Sequence, residues 1–181
     1  MKAPERPHGG KMDPTEIIKI VTAAEKYTES QSVKPHVDVH PAMKLTIVSC
    51  MDSRLDLFGI LGLDIGDAHI VRNAGGIVTD DVIRSLAVSQ RSLGTNMIVL
   101  IHHTDCGLEK ISDDDFKFQI EREIGIRPSW AVEAFRDPYD DVRQSIARLA
   151  ASPFVTHKQN IFGFVYEVDK HQLVRVDPYP S

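Results

Sequence analysis

Two cysteines and one histidine are the residues of this sequence best suited to hold a metal ion. His103 and Cys106 are separated by a spacing that a tight loop can fold around one ion, and Cys50 can supply a second thiolate. Zinc accepts thiolate and imidazole ligands, and three protein ligands leave a fourth position for water, which indicates catalysis. The alternative is that both thiols are small buried hydrophobic groups, because free cysteine is among the most buried residue types.

The composition defines the setting of these residues. The chain has 181 residues, of which 42% are hydrophobic and 26% are charged, as in ordinary soluble domains. Its formal net charge is -5 and it has no basic stripe, which argues against nucleic acid as a partner. No apolar run approaches the roughly 18 residues that a membrane span needs. The start lacks the apolar segment of a secretory signal, and two widely spaced cysteines suit a reducing compartment, so we predict a cytoplasmic protein.

The amino-terminal region predicts a tail followed by a helix. Residues 1–12 are rich in proline, glycine and charge and predict a flexible tail, and we expect one domain over 13–181. Asp13 suits the N-cap of a helix, with Pro14 at its first position and Glu16 three residues after the cap. The apolar residues that follow at helical spacing give this helix one hydrophobic face.

From residue 44 the pattern alternates between strand and helix. A β-branched run at 45–50 predicts a central strand that is buried on both faces. We expect further strands at 69–71 and 96–102, helices between Thr79 and Gly94, at 114–124 and at 139–151, and a closing strand or hairpin over 161–168 and 172–176. This order predicts an α/β fold with a mostly parallel central sheet flanked by helices. Ligands of such folds gather at the carboxyl ends of strands, so Cys50 and the segment 102–106 can converge there.

Three motifs surround the candidate ligands. Cys50 begins the segment C-M-D-S-R, His103 begins H-T-D-C-G, and Arg72 begins R-N-A-G-G between them. In this order they resemble the β-class carbonic anhydrases, in the compact branch that also contains carbonyl sulfide hydrolases, over roughly residues 44–176. The resemblance implies that family's fold, Zn²⁺ as cofactor, and Cys50, His103 and Cys106 as its ligands.

The same resemblance implies that Asp52 and Arg54 form a catalytic pair beside the metal. The implied reaction is attack of a zinc-bound hydroxide on CO₂ to give bicarbonate. Two thiolates make zinc a weaker acid than three imidazoles do, so we expect Asp52 to orient the hydroxide while Arg54 holds the carboxylate. An ordinary surface ion pair is the alternative. If Arg54 releases it, Asp52 could itself bind zinc and close the site.

Loop composition gives a set of candidate pocket residues. Backbone amides near three glycines could stabilise a developing oxyanion, and nearby apolar side chains could select the substrate. These candidates are Gly75, Gly76, Gly107, Ile77, Val78 and Leu108. His102 could carry protons, but packing is the more ordinary role of a histidine at a strand end. The run Asp113-Asp114-Asp115 predicts a solvated cluster that caps a helix.

The family resemblance leaves the substrate and the regulation open. Carbonyl sulfide hydrolases, and more distantly carbon disulfide hydrolases, share the zinc ligands, and a non-catalytic zinc scaffold is a rival of another class. Relatives inhibited by bicarbonate carry Trp three residues before the first zinc cysteine, where this sequence has Ile47. The implied partners are small molecules, CO₂ and bicarbonate or carbonyl sulfide. The implied assembly is a homodimer or homotetramer.

Overall fold

The first helix, α1, covers Pro14–Gln31 in the computed structural model, which describes residues 14–31 and 38–178. Its start at Pro14 agrees with the sequence, whereas Asp13 and the predicted tail over 1–12 lie outside the described residues. Helix α1 belongs to one compact unit and residues 38–178 to another, and the single domain expected over 13–181 stays a prediction. None of the described helices has the length and hydrophobicity needed to cross a bilayer.

Residues 38–178 build one five-stranded sheet. Its strands are β1 (Leu45–Cys50), β2 (Ala68–Asn73), β3 (Met97–His103), β4 (Ile161–Glu167) and β5 (Gln172–Val176). Their order across the sheet is β2-β1-β3-β4-β5. The first four strands pair in parallel and only β5 runs antiparallel, to β4. This confirms the α/β fold predicted from the alternating pattern, with the closing hairpin at the expected place.

Helices connect and flank the strands. They are α2 (Leu57–Leu61), α3 (Asp80–Ser92), α4 (Asp113–Ile124) and α5 (Pro138–Ala151). Thr79 caps α3 as predicted, because its side chain accepts a hydrogen bond from the Val82 N–H. The sequence analysis did not predict α2, a short helix capped by Asp56 at its start and by Gly62, whose φ is 64°, at its end.

The two faces of the sheet bury different apolar clusters. Val48 and Leu100 face α3 and α5, whereas Ile47 and Ile101 belong to a second cluster that also contains both cysteines. All six residues of β1 are buried, which agrees with the prediction of a central strand.

The order of the strands places the candidate ligands together. The chain leaves β1 to form β2 on one side and then crosses to form β3 on the other side. A crevice therefore opens where β1 and β3 end, the usual ligand position in such sheets. Cys50 is the last residue of β1 and His103 is the last residue of β3.

Candidate metal centre

The crevice brings Cys50, His103 and Cys106 together. One potential ligand atom from each lies within 4.8 Å of the other two. All three residues are buried. Among the described residues, no fourth His, Cys or carboxylate joins this group, and three ligands leave a position for a small molecule. Two sulfurs and one imidazole are a donor set that suits zinc.

The orientation of His103 is fixed from outside the cluster. Its Nδ1 lies 3.0 Å from the Thr104 carbonyl oxygen, which only accepts hydrogen bonds, so Nδ1 carries the proton. The lone pair is therefore on Nε2, a buried atom that has no hydrogen-bond partner in the described part of the chain. An imidazole held at one nitrogen and unpartnered at the other is the arrangement expected of a metal ligand.

The two cysteine sulfurs titrate as a pair. A hydrogen bond between the thiols lowers the pKa of Cys50 and raises the pKa of Cys106. Backbone N–H groups act to lower both pKa values, from Asp52 on Cys50 and from Leu108 on Cys106, but on Cys106 the raising causes prevail. A buried cluster that already favours one thiolate is suited to a cation, because thiols bind metals in the deprotonated form.

Arg54 holds the carboxylate of Asp52 beside this cluster. Its Nε donates to Asp52 Oδ1 at 2.9 Å and its Nη2 to Asp52 Oδ2 at 2.7 Å. These hydrogen bonds keep the pKa of Asp52 well below its usual range, so the group is ionised at neutral pH. Asp52 Oδ2 lies 3.8 Å from Nε2 of His103, which places this negative charge next to the candidate ligands.

Two further residues, whose roles the sequence analysis did not identify, secure the loop after β1. Arg72 donates from Nε to the Cys50 carbonyl at 2.9 Å and from Nη2 to the Asp52 carbonyl at 2.7 Å. Asp105 accepts from Arg54 Nη1 at 2.7 Å and also pairs with Lys110. Arg72 and Asp105 both belong to the motifs noted in the sequence, but the groups that they bind are apparent only in the structure.

A cavity of about 580 Å³ opens onto the cysteines. Of the predicted pocket residues, Gly75, Ile77, Gly107 and Leu108 line it together with Asp52. Gly76 and Val78 are not among its lining residues. Val78 is fully buried in the apolar cluster under α3 and α5, so its side chain packs in the core instead. His102 is also fully buried and does not line the cavity.

The outer wall of the cavity was not predicted. It is formed by the segment 130–133, which Asp113 holds through backbone N–H groups. Oδ2 of Asp113 accepts from Val132 at 2.9 Å and Oδ1 accepts from Ala134 at 2.9 Å. Burial opposes ionisation of Asp113, but these hydrogen bonds outweigh it and keep its pKa below the usual value. The expectation of a solvated capping cluster is therefore wrong for Asp113, and Ser112 caps α4 instead.

Known proteins resemble this chain in sequence. The family model described as "Carbonic anhydrase" matches residues 45–126. "Beta-carbonic anhydrase 1" of Mycobacterium tuberculosis is 53% identical over 138 residues, which cover 76% of this chain and 85% of that protein. "Carbon disulfide hydrolase" of Saccharolobus solfataricus is 32% identical over 87% of this chain and 89% of that protein.

A solved structure extends the comparison to three dimensions. The carbonic anhydrase of Streptococcus mutans superposes with a TM-score of 0.85 and 39% identity, over 92% of this chain and all of that one. Fold, motif order and relatives agree, and they define a carbonic anhydrase of the β class. The chain belongs to the β-carbonic anhydrase family.

Proposed function

We propose that this protein is a zinc-dependent carbonic anhydrase that converts CO₂ and water to bicarbonate and a proton. The observation that carries the proposal is the buried group of Cys50, His103 and Cys106, whose ligand atoms lie within 4.8 Å of one another. The orphaned Nε2 of His103 supports the fit, because a buried nitrogen without a partner is costly unless an ion or another group satisfies it. The two sulfurs and this nitrogen would hold Zn²⁺.

A bound zinc ion supplies Lewis acidity, which makes a water molecule nucleophilic near neutral pH. Asp52 accepts a hydrogen bond from the attacking water and thereby sets the direction of its lone pair. Arg54 keeps the carboxylate ionised and in place through its paired hydrogen bonds. The Asp52 side chain is 18% exposed and the Arg54 side chain 42%, so the two hydrogen bonds to one carboxylate, more than burial, distinguish this pair from an ordinary surface pair.

The cavity suits a small apolar substrate. Leu108, Ile77 and Ile111 present hydrocarbon beside the cysteines, and the glycines Gly75 and Gly107 let the substrate approach the backbone. We propose that backbone amides in these glycine segments stabilise the negative charge that develops on the oxygens of CO₂. Bicarbonate, which is charged and more strongly hydrated, then leaves toward solvent.

Carbonyl sulfide and carbon disulfide are the competing substrates, because they are also linear triatomic molecules. The 32% identity to a carbon disulfide hydrolase shows that sulfur chemistry occurs among the relatives of this chain. The 53% identity to a β-carbonic anhydrase is considerably higher and favours CO₂.

We also propose an oligomeric state and a cellular compartment for this protein. Five large apolar residues of α1 are each about half or more exposed: Ile17, Ile18, Ile20, Val21 and Tyr27. Such a cluster indicates a surface that another protein covers, and we propose a homodimer or homotetramer. Light scattering on the purified chain tests this, and a monomer at micromolar concentration would contradict it. The cytoplasm is the proposed compartment.

The function is tested by metal analysis and parallel assays on one purified sample. We expect one zinc per chain and rapid CO₂ hydration by stopped-flow, with much slower H₂S release from carbonyl sulfide and carbon disulfide. A higher kcat/KM for either sulfur substrate would make the protein a hydrolase. Zinc without any of these activities would leave a zinc scaffold, and a protein that does not take up zinc would refute the metal site.

A further inference from the structure

A buried histidine and a partly buried carboxylate lie behind the candidate site and have no part in the proposed chemistry. His102 is fully buried, and its Nε2 lies 3.1 Å from the Gly76 carbonyl oxygen. Its Nδ1 lies 3.0 Å from Oδ2 of Asp141, in the first turn of α5, whose side chain is 16% exposed. The ring of Phe135 packs beside the imidazole, with 5.8 Å between the centroids. The imidazole is thus enclosed from several sides.

The hydrogen bond to Gly76 has a defined direction. A carbonyl oxygen only accepts, so Nε2 of His102 donates the proton. Oδ2 of Asp141 lies on the opposite side of the ring, 3.0 Å from Nδ1. The two atoms do not have the geometry of a hydrogen bond, so the carboxylate restricts the ring through close contact. A ring with no exposure to solvent is poorly placed to carry protons to water.

Gly76 belongs to the turn that forms one wall of the cavity. Gly75 and Gly76 have φ values of 78° and 76°, and a Cβ added to Gly76 would lie 2.9 Å from the backbone nitrogen of Cys50. The turn therefore packs directly on the backbone of a proposed zinc ligand. A second side chain supports it, since Asn73 Nδ2 donates to the Ile77 carbonyl at 2.8 Å.

We propose that His102 and Asp141 are positioning residues that hold the Gly75–Gly76 turn, and with it the cavity wall beside the metal ligands. The inference rests on the proposed function, because the position of this wall matters for catalysis only if the substrate reacts next to Cys50. Asp141 acts through His102, and His102 acts through the Gly76 carbonyl. Neither residue touches the substrate.

The first test compares Asp141→Ala with Asp140→Ala in the zinc-loaded protein. Both variants remove one carboxylate from the first turn of α5, but Asp140 is 52% exposed and pairs with Arg143 instead. We expect Asp141→Ala to lower kcat/KM for CO₂ by about tenfold at unchanged zinc content, as for other groups that orient a metal site from behind. Hydrogen exchange of residues 73–78, measured by mass spectrometry, is expected to accelerate in Asp141→Ala and not in Asp140→Ala.

The second test replaces His102 with two amide side chains of different length. The Nε2 of glutamine takes the place of the imidazole Nε2, so His102→Gln keeps a donor for Gly76, whereas the shorter side chain of His102→Asn does not reach it. We expect His102→Gln to retain the slow exchange of residues 73–78 and most of kcat/KM, and His102→Asn to lose both.

The outcomes separate the two proposals. Equal exchange and equal kcat/KM in the two members of either pair would overturn the positioning role, as would faster exchange without a fall in kcat/KM. A wild-type protein without CO₂ hydration would refute the proposed function instead, and the exchange measurements would still show whether His102 and Asp141 hold the turn.

Discussion

Arg54 donates to Asp105, which lies 51 residues further along the chain, and the two atoms are 2.7 Å apart. The same guanidinium holds Asp52, so one arginine ties the C-M-D-S-R segment to the H-T-D-C-G segment. Nη2 also donates to the Asp105 backbone carbonyl at 2.9 Å. Because Cys106 directly follows Asp105, this bridge fixes the loop with the third candidate ligand relative to the loop after β1.

Asp52→Asn tests the role of the carboxylate that Arg54 holds. The amide has nearly the same shape but no charge, and it is a weaker acceptor for the attacking water. We expect the variant to retain zinc, because Asp52 is outside the ligand group, and to lose about 100-fold in kcat/KM for CO₂, the scale of a general acid–base contribution.

The control for this variant is Asp64→Asn, which removes an exposed carboxylate outside the cavity and is expected to keep the wild-type rate. Stopped-flow CO₂ hydration across pH measures both variants. An unchanged kcat/KM for Asp52→Asn at every pH would remove Asp52 from the mechanism.

Cys106→Ser tests the metal site. A hydroxyl is a poor substitute for a soft anionic sulfur, so we expect zinc content and CO₂ hydration to be lost together. Metal analysis after dialysis gives the stoichiometry, and circular dichroism shows whether the fold persists. A variant with one zinc per chain and the full rate would show that Cys106 is not a ligand.

Local sequence patterns were enough to predict most of the strands and helices and their order. The β-branched run of β1 and the cap at Thr79 are signals within a few residues, and they gave the strands and helices that place Cys50 and His103 at one sheet edge. The Asp113 contact with residues 132–134 and the Arg54–Asp105 bridge join residues far apart in sequence. The hydrophobic periodicity of a sequence does not predict contacts between residues that are far apart along the chain. The composition of a loop does not show which of its residues line a cavity. Ile77 lines the cavity, whereas the next residue, Val78, packs in the core.

Gly76→Ala is expected to destabilise the protein strongly. The added methyl group would lie 2.9 Å from the Cys50 nitrogen and 3.0 Å from the Ser49 carbonyl carbon, and the φ of 76° is unfavourable for alanine. Neither backbone contact can rotate away, so we expect a loss of about 2 to 3 kcal/mol in the free energy of unfolding, measured in urea.

Gly107→Ala is the matched control for this change. A Cβ added there meets no atom within 4 Å, so the free energy of unfolding is expected to stay near the wild-type value. If the two alanine variants were equally stable, the turn would not pack on Cys50 as closely as the structure shows.

Asp113→Asn is expected to weaken the outer wall of the cavity in a pH-dependent way. The carboxylate accepts hydrogen bonds from Val132 and Ala134, and the asparagine amide can accept at only one of its two positions. Loss of one such bond to a charged group costs about 2 kcal/mol in the free energy of unfolding at pH 7.

The pKa of Asp113 is lowered in the folded protein, so its stabilisation is complete above the unfolded pKa of about 3.9 and is lost as the pH falls through the lower folded value. The stability difference between wild type and variant should therefore shrink in urea titrations below about pH 4.

Asp114→Asn, which removes a 93% exposed carboxylate paired with Arg127, should show a far smaller difference at pH 7. An equal loss in both variants would mean that Asp113 contributes only helix-terminal charge, and that the wall over 130–133 is held by other contacts.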